Sequence, residues 1–562
     1  MADLTQLVPP KEGFSEIDRQ AVFNHFFLRL ASFRNTAGLY SSLEHDTSSL
    51  QPQSKASRRD EFNEKLQVWA QKLLEQAWMV CGEPGGKECP ELDPYADTST
   101  GHLPPLPAPE LVTRILNTAL FLHIATSKEY SARTRTFLLS TFGSLDEQLI
   151  VSALRNPDKT IEETQKQAKQ AKESHAKMGK TLRMVGVGLG AVAGGVLVGV
   201  TGGLAAPLVA AGVSTLLGIL GVGGTTVGLI ASGLASSSVI CGALFGAYGA
   251  RSTSNMVQRH TREIRDLDIV PVHKLSKNQE TLAVRLCVSG WLTSRDDVVA
   301  PWTVFGGDDT FALQWEVELL ESLSNALYSL VKANVMRYIK VEVIKRTVFA
   351  SLMSSLAPIA LLKIGQIIDN NWMNSKALAI KAGAVLGDLL SKRVFGNRPV
   401  TLTGYSLGGL VIFEALKYLT LLPPSETVHL IQDVYVFGTP APIDTAVWSA
   451  IRRLVGGRVV NGYSENDYVL AVLSRLSNAS WGVAGLQPID VMGVENIFCK
   501  DVDGHTKWRG MIGRSLQQCG APGIIDARVD EQAEEEAATG PESGEVEMTQ
   551  EEVDQVLGVV KK

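Results

Sequence analysis

Residues 402–416, "LTGYSLGGLVIFEAL", place a serine between two glycines, after an apolar strand pattern and directly before a helix pattern. The motif Gly-x-Ser-x-Gly arises easily by chance, but these flanks are typical of a strained strand-to-helix turn that carries a nucleophile. Gly404 and Gly408 leave space for neighbouring backbone, and the helix "GLVIFEALKYL" that follows points its N-terminus at the serine, so its free N–H groups can stabilise an oxyanion. We predict that Ser406 is a nucleophile; the alternative is an inert serine in a glycine-rich turn.

A serine nucleophile needs a base to take its proton, and the base needs a carboxylate to fix its tautomer. Where a serine lies on such a turn, the acid and then the histidine follow it along the chain. Only His429 and His505 follow Ser406. His429 comes before the strand-like residues 433–438, whereas His505 comes after the last strand-like segment, "VENIFC" (494–499). We predict that His505 is the base.

The acid is expected between the serine and the histidine. The stretch "VVNGYSENDYVL" (459–470) ends a predicted strand and offers Glu465 and Asp467. Asp467 is the better candidate because an acid several residues past the strand end can reach across to the loop of His505. Asp467 is also well placed to cap a helix that begins at "YVLAVLSRL", and this structural role is the alternative.

The second donor of an oxyanion hole is expected on the loop after an early strand. The strand-like segment "TLAVRLCV" (281–288) is followed by a turn at Gly290. We predict that the backbone N–H of Trp291 or Leu292 pairs with that of Leu407 to form the oxyanion hole. The bulky ring of Trp291 is also expected to form a wall of the acyl pocket.

Strand-like and helix-like segments alternate from residue 266 to residue 521. The strand-like segments are "TLAVRLCV" (281–288), "PVTLTG" (399–404), "DVYVFG" (433–438), "RVVNGY" (458–463) and "VENIFC" (494–499). Helix-like segments such as "SKALAIKAGAVLGDLLSKR" (375–393) lie between several of them. This alternation predicts the α/β class, with a mainly parallel sheet covered by helices. The serine turn makes the predicted domain α/β-hydrolase-like.

The regions outside this domain differ in composition. Residues 1–149 repeat apolar residues at three- and four-residue spacing, which predicts an N-terminal helical region. Residues 150–183 are rich in alternating charge and are predicted to form a polar helical connector. Residues 522–562 are acidic with few aromatic residues, so we expect a disordered tail.

No Asp, Glu, Lys, Arg or His occurs from Met184 to Ala250. A membrane-spanning helix needs only about 20 residues, so we predict an inserted glycine-rich transmembrane helical hairpin over residues 184–250. A buried helical pair in a soluble protein is the alternative. The glycine content argues against this alternative, because each glycine weakens a helix in water by about 1 kcal/mol relative to alanine. In lipid, by contrast, glycines spaced four residues apart let two helices approach closely. The spaced glycines are Gly186, Gly190, Gly194, Gly195, Gly199, Gly203, Gly242 and Gly246.

Basic residues flank both ends of this run. They are Lys177, Lys180, Arg183, Arg251, Arg259 and Arg262. By the positive-inside tendency, an integral membrane protein with both termini in the cytosol is expected. The widely separated cysteines and the absence of a signal-peptide pattern in "MADLTQLVPPKEGFSE" agree with a reducing compartment. Because the net charge is −6 and the basic residues are dispersed, no nucleic-acid partner is expected.

Several of these segments resemble one known family when they are taken together. The hairpin, "LCVSGWL", "ALQWEVELL", "LTGYSLGG", "VFGTPAP" and "NGYSENDYVL" resemble the transmembrane and coiled-coil domain-containing family, over about residues 110 to 515. The C-terminal part of that family resembles α/β-hydrolases. The resemblance implies a lipase- or esterase-like site on Ser406, Asp467 and His505, and it implies no particular substrate.

These observations predict a membrane-anchored, cytosol-facing serine hydrolase that cleaves acyl esters. Lipid esters of the membrane are the first expectation, because attachment raises their local concentration. No cofactor or metal is predicted, since this chemistry needs neither. The alternative is a membrane trafficking or organising adaptor on a non-catalytic hydrolase-like scaffold, with protein partners on the N-terminal helices and the acidic tail. A channel or transporter is disfavoured because the glycine-rich run contains no ionisable residue.

Overall fold

The computed structural model describes most of the chain in separate stretches. The described residues are 7–8, 14–86, 88–93, 97–143, 145–163, 224–246, 264, 266–273, 281–332, 371–477 and 482–539. Contacts divide the chain into a helical unit and an α/β unit. The helical unit comprises Met1–Asn35, Leu66–Tyr130 and Phe137–Ala247, and the α/β unit comprises Thr36–Lys65, Ser131–Thr136 and Tyr248–Lys562. The bounds of the five regions proposed from the sequence stay a prediction.

The N-terminal part of the chain is helical, in agreement with its apolar spacing. The helices are α1 (Glu16–Thr47), α2 (Pro52–Val80), α3 (Pro109–Ser127), α4 (Ala132–Phe142), α5 (Glu147–Arg155), α6 (Gly224–Ala235) and α7 (Ser237–Phe245). Helix α5 begins after Asp146, which caps it with its side chain. Within the helical unit, the rings of Phe26 and Phe137 meet edge to face at 5.1 Å. Gly233 of α6 lies against Phe121 of α3, where a Cβ would come within 2.9 Å of the ring.

Helices α6 and α7 are the described part of the predicted hairpin. In the described stretches, no single helix is long and apolar enough to cross a membrane. The segments Gly228–Ala235 and Ser237–Phe245 meet the length and composition criteria only as a pair, which is bent by 66° at Ser236. Most of the predicted hairpin, residues 184–223 and 247–250, lies outside the described residues. The membrane insertion of residues 184–250 therefore stays a prediction.

A seven-stranded sheet forms the centre of the α/β unit. Its strands are β1 (Asp268–Pro271), β2 (Val284–Val288), β3 (Asp309–Gln314), β4 (Val400–Tyr405), β5 (Ile431–Phe437), β6 (Val459–Tyr463) and β7 (Val494–Phe498). The order across the sheet is β1-β3-β2-β4-β5-β6-β7, with β1 antiparallel to β3 and the other pairs parallel. Strands β2, β4 and β5 are buried along their whole length, which explains their nearly continuous apolar sequences. The predicted α/β class with a mainly parallel sheet is confirmed.

Helices also form between and after the strands of the sheet. They are α8 (Val317–Lys332), α9 (Met373–Ser391), α10 (Leu407–Leu421), α11 (Pro424–Thr427), α12 (Thr445–Leu454), α13 (Tyr468–Ser477), α14 (Trp508–Gln518) and α15 (Asp526–Thr539). Short 3₁₀ turns occur at Arg295–Val298, Ala300–Trp302, Ala484–Leu486 and His505–Lys507. Helices α9 and α10 pack closely because Gly383 and Gly387 of α9 face Glu414 and Tyr418 of α10. This contact buries α10, the helix that follows Ser406.

Helix α15 occupies the first part of the acidic C-terminal segment. Its residues Val529 and Ala533 are buried, four positions apart on one face of the helix. Its Gln532 accepts a hydrogen bond of 2.8 Å from the backbone N–H of Gly513 on α14. Over Asp526–Thr539 the structure thus differs from the expected disordered tail, because this stretch has an apolar face to bury. Residues 540–562 lie outside the described residues.

The end of α1 and the first half of α2 lie within Thr36–Lys65, which belongs to the α/β unit. Glu44, near the end of α1, forms a two-point ion pair with Arg453 of α12, with N–O distances of 2.5 and 3.1 Å. The guanidinium groups of Arg453 and Arg133 both lie over the ring of Phe62 on α2, at 5.4 and 5.1 Å. Burial, and then the charges of Arg452 and Arg453, lower the pKa of Arg133 to about 9. Glu44 therefore neutralises part of a buried cluster of positive charge.

Glu44→Ala is expected to lower the free energy of unfolding of the α/β unit by about 3 kcal/mol or more, because it leaves a buried charge on Arg453 without its counter-charge. The side chain of Arg453 is 0% exposed. Urea denaturation followed by tryptophan fluorescence measures the change. The control is Glu64→Ala, at an exposed position of α2, for which a change within about 0.5 kcal/mol is expected. A loss below about 1 kcal/mol in Glu44→Ala would contradict the role given to this pair.

Candidate active site

Ser406 occupies the turn between β4 and α10. Its backbone has φ 54° and ψ −133°, a conformation that costs free energy for a residue with a side chain. Two hydrogen bonds hold it there: Ser406 N–H donates to the carbonyl of Phe437 at 2.9 Å, and Leu410 N–H donates to the carbonyl of Ser406 at 3.2 Å. The strained strand-to-helix turn predicted from the motif is therefore present. It places the hydroxyl of Ser406 beyond the end of β4.

The two motif glycines lie where the turn meets the adjacent strand β2. A Cβ at Gly404 would lie 2.7 Å from Ile412 Cδ1 and 3.0 Å from the carbonyl oxygen of Val288. A Cβ at Gly408 would overlap the same carbonyl oxygen. Both glycines therefore allow the backbone of β2 to approach the serine turn closely, as the sequence analysis predicts.

A continuous chain of hydrogen bonds joins Ser406, His505 and Asp467. The distance from Ser406 Oγ to His505 Nε2 is 2.6 Å, and the distance from His505 Nδ1 to Asp467 Oδ2 is 2.7 Å. With the proton of the imidazole on Nδ1, His505 donates to Asp467 and the hydroxyl of Ser406 donates to His505. The residues are 0%, 1% and 0% exposed in the order Ser406, His505 and Asp467. A substrate must therefore displace the groups that cover Ser406.

The rival acid and the rival histidine lie elsewhere. His429 contacts the hydroxyl of Ser131 at 2.9 Å through Nδ1, before the start of β5. Glu465 is exposed to solvent. The structure thus brings together the three residues selected from the sequence, and their catalytic roles stay a prediction.

Asp467 makes the contacts that both alternatives of the sequence analysis require. Its Oδ1 accepts a hydrogen bond of 3.0 Å from Leu470 N–H in the first turn of α13, so the side chain acts as a helix cap. Its Oδ2 faces His505 and also accepts a hydrogen bond of 2.9 Å from Trp508 Nε1. The buried carboxylate is therefore satisfied on both oxygens, and its orientation is determined by the cap.

The loop of residues 289–298 lies beside the serine turn because β2 and β4 are neighbours with Val288 opposite Gly404. A Cβ at Gly290 would overlap the backbone nitrogens of Leu407 and Gly408. The N–H of Leu407 lies at the first residue of α10, where no intrahelical acceptor is available. Trp291 and Leu292, the other predicted oxyanion donors, follow Gly290 directly in the same loop. Their role stays a prediction.

Trp291 contacts both the serine turn and the histidine. Its carbonyl accepts a hydrogen bond of 2.9 Å from the hydroxyl of Tyr405, whose pKa is raised by burial. Its ring meets the imidazole of His505 edge to face, with 5.5 Å between the ring centroids and 81° between the planes. Trp291 is 2% exposed. These contacts agree with a wall beside the reacting groups.

The sequence analysis missed three residues around this site: Asp297, Trp508 and Arg509. Trp508 comes three positions after His505, and its indole is the second donor to Oδ2 of Asp467. A Cβ at Gly438 would overlap this indole, so the glycine of "VFGTP" makes space for it. Within the described part of the chain, no group of three or more His, Cys, Asp or Glu side chains could hold a metal ion.

Comparison with known proteins yields a family match and several relatives. The family model described as "Protein of unknown function (DUF726)" matches residues 179–521. An uncharacterised membrane protein of Schizosaccharomyces pombe is 36% identical over 368 residues, which are 64% of this chain and 62% of the relative. The transmembrane and coiled-coil domain-containing protein STS1 of Oryza sativa is 35% identical over 354 residues, covering 61% of this chain and 53% of the relative.

A third relative carries an enzyme name. The probable lipase MIL1 of Saccharomyces cerevisiae is 36% identical over 309 residues, which are 54% of this chain and 27% of the relative. This chain spans less than two thirds of the length of each of these three relatives. No solved structure matches the chain.

Proposed function

This chain belongs to the DUF726 family, and we propose that it is a membrane-associated serine hydrolase of the α/β-hydrolase type that cleaves acyl esters. The relatives named as membrane or transmembrane and coiled-coil domain-containing proteins confirm the family resemblance of the sequence. The observation that carries the proposal is the hydrogen-bonded set of Ser406, His505 and Asp467. Each follows a different strand of one mainly parallel sheet, in the chain order serine, acid, histidine.

In the proposed reaction, Ser406 Oγ attacks the ester carbonyl while His505 Nε2 accepts the hydroxyl proton. Asp467 holds the Nδ1–H of the imidazole and stabilises the charge that develops on it. The carbonyl oxygen becomes an oxyanion that accepts hydrogen bonds from Leu407 N–H and from the N–H of Trp291 or Leu292. His505 then gives the proton to the leaving alcohol. Water attacks the acyl-serine with His505 as the base, which releases the acid and restores Ser406.

We infer lipids as the substrate class from two observations. One relative is named a probable lipase and another a membrane protein. An enzyme held at a bilayer meets acyl lipids at high local concentration, because attachment makes the encounter effectively intramolecular. The orientation that agrees with the basic residues on both flanks of residues 184–250 is cytosol-facing. Integral insertion with both termini in the cytosol belongs to this proposal.

A fluorophosphonate probe is expected to label the purified full chain at one site, Ser406, because the probe needs an activated serine hydroxyl. Peptide mass spectrometry locates the adduct. Labelling is expected to disappear in Ser406→Ala and to be unchanged in the control Ser391→Ala, whose hydroxyl donates to the carbonyl of Asp388 within α9. A folded wild-type chain that is not labelled would contradict the enzyme and favour the adaptor alternative.

The lipid assignment has a separate readout. In cells that carry Ser406→Ala in place of the wild-type chain, one class of acyl lipid is expected to accumulate, as measured by lipidomics. An unchanged lipid profile, combined with labelling of wild-type Ser406 and hydrolysis of water-soluble esters, would contradict the lipid substrate while keeping the esterase.

A further inference from the structure

Asp297 lies at the end of the 289–298 loop and is fully buried. Its Oδ2 accepts hydrogen bonds from Thr293 N–H and Thr293 Oγ1, both at 2.6 Å, and from Ser294 N–H at 3.1 Å. Its backbone carbonyl accepts a hydrogen bond of 2.8 Å from Ser289 Oγ. One residue therefore binds both the start of the loop and the residues that follow Leu292.

Two tryptophans hold the start of the same loop. Trp302 Nε1 donates to Ser289 Oγ at 3.0 Å, and Trp315 Nε1 donates to the carbonyl of Ser289 at 3.1 Å. The chain is thus held at Ser289 on one side and at Thr293 on the other. Only Gly290, Trp291 and Leu292 lie between these two anchors. Trp291 and Leu292 are the two of these residues whose N–H groups are the proposed oxyanion donors of this loop.

Arg509 orients the carboxylate of Asp297 from the other side. Its Nε donates to Asp297 Oδ1 at 2.6 Å, and its side chain is 29% exposed. Burial alone would lower the pKa of Arg509, but the charge of Asp297 and this hydrogen bond outweigh burial and raise the pKa. Arg509 is the residue after Trp508, whose indole binds Asp467. The first turn of α14 therefore contacts the acid of the triad and the anchor of the 289–298 loop.

Resting on the proposed function, we propose that Arg509 and Asp297 are positioning residues that hold the 289–298 loop in register with Leu407. Arg509 fixes the rotation of the Asp297 carboxylate, and Oδ2 then fixes Thr293 and Ser294. Without Arg509, a buried carboxylate would lack the counter-charge that orients it, and the loop would sample other positions. A displacement of about 1 Å at an oxyanion donor is enough to lower a rate by about 10²-fold.

The test compares Arg509→Gln and Arg509→Lys with a matched control on the same helix, Arg514→Gln, at an exposed position. We expect the fluorophosphonate labelling rate per folded molecule and kcat of Arg509→Gln to fall by about 10²-fold, while KM for a soluble ester changes by less than about 3-fold. Arg509→Lys keeps the charge but loses the planar N–H of Nε, so an intermediate loss is expected. Arg514→Gln is expected to match the wild type. A merely structural role would reduce the folded fraction and leave the rate per folded molecule unchanged.

Hydrogen exchange measured by mass spectrometry tests the anchoring without catalysis. In Arg509→Gln, amides of residues 289–298 are expected to exchange at least about 10-fold faster, with no change in residues 400–405 of β4. If Arg509→Gln does not fold, the labelling rate and hydrogen exchange are measured in Asp297→Asn and Arg509→Lys instead.

The outcomes separate the two proposals. Wild-type labelling at Ser406, together with unchanged labelling and exchange in the Arg509 variants, would overturn the positioning role and leave the hydrolase intact. A wild-type chain without labelling would contradict the hydrolase. Amide hydrogen exchange alone would then test the anchoring of the 289–298 loop. Unchanged exchange in Arg509→Gln would overturn it.

Discussion

His505→Ala is expected to lower ester turnover by roughly 10⁴-fold or more, because the hydroxyl of Ser406 then has no base within hydrogen-bond distance. The only side-chain partner that the described residues give to Ser406 Oγ is Nε2 of His505, at 2.6 Å. Hydrolysis of a short-chain p-nitrophenyl ester measures kcat. The informative control is His429→Ala, which removes the rival histidine of the sequence analysis and is expected to keep activity within about 3-fold.

Asp467→Asn extends the same prediction to the acid. An amide cannot accept the Nδ1–H of His505 in the way that Oδ2 does, so the wrong tautomer is favoured and turnover is expected to fall by roughly 10³- to 10⁴-fold. The double variant His505→Ala, Asp467→Asn is expected to be no slower than His505→Ala alone, because the two residues act as one unit. If the losses of turnover in the two single variants multiply in the double variant, His505 and Asp467 do not act as one unit. Unchanged turnover in His505→Ala would contradict the whole mechanism.

Gly290→Ala is expected to abolish labelling of Ser406 and to destabilise the α/β unit by about 3 kcal/mol or more, an effect at the upper end for overpacking. A methyl group at this position would overlap the backbone nitrogens of Leu407 and Gly408. The backbone cannot yield cheaply, because Leu407 begins α10 and Gly408 already touches the carbonyl of Val288. The methyl group would therefore separate the 289–298 loop from the serine turn and block the proposed oxyanion site.

Thermal denaturation and the labelling rate together measure this effect. Gly101→Ala is the control, because a Cβ there meets nothing within 4 Å and the glycine has no positive φ. The control is expected to keep the wild-type melting temperature and labelling rate. If Gly290→Ala folds and labels like the wild type, the close approach of the 289–298 loop to the start of α10 is not a requirement of the site.

The parallel sheet explains why both predictions converge on one small region. Val288 lies opposite Gly404, Phe437 opposite Gly462, and Tyr463 opposite Phe498, so the carboxyl ends of neighbouring strands lie at one edge. The loops that leave this edge carry the serine, the acid, the histidine and residues 289–298. Ligands of open α/β sheets bind at the carboxyl ends of the strands for the same reason.

The sequence by itself determined the local elements of this site. The turn at Ser406 follows from the β-branched and apolar residues of β4, from the glycines on either side and from the apolar pattern of α10, all within residues 400–421. The chain order of Ser406, Asp467 and His505 could likewise be read from the succession of strands. Local sequence is sufficient here because backbone propensity and side-chain periodicity act over a few residues.

Only the tertiary structure decided which distant charged groups meet, at the candidate site and elsewhere in the α/β unit. Asp297 meets Arg509 across 212 positions of sequence, and Glu44 meets Arg453 across 409. No periodicity links such pairs, because the partner of a buried charge is selected by strand order and helix packing after the local elements have formed. The two contacts of Asp467 differ in the same way: the cap is a contact over three residues, whereas the contact with His505 depends on how β6 and β7 lie side by side.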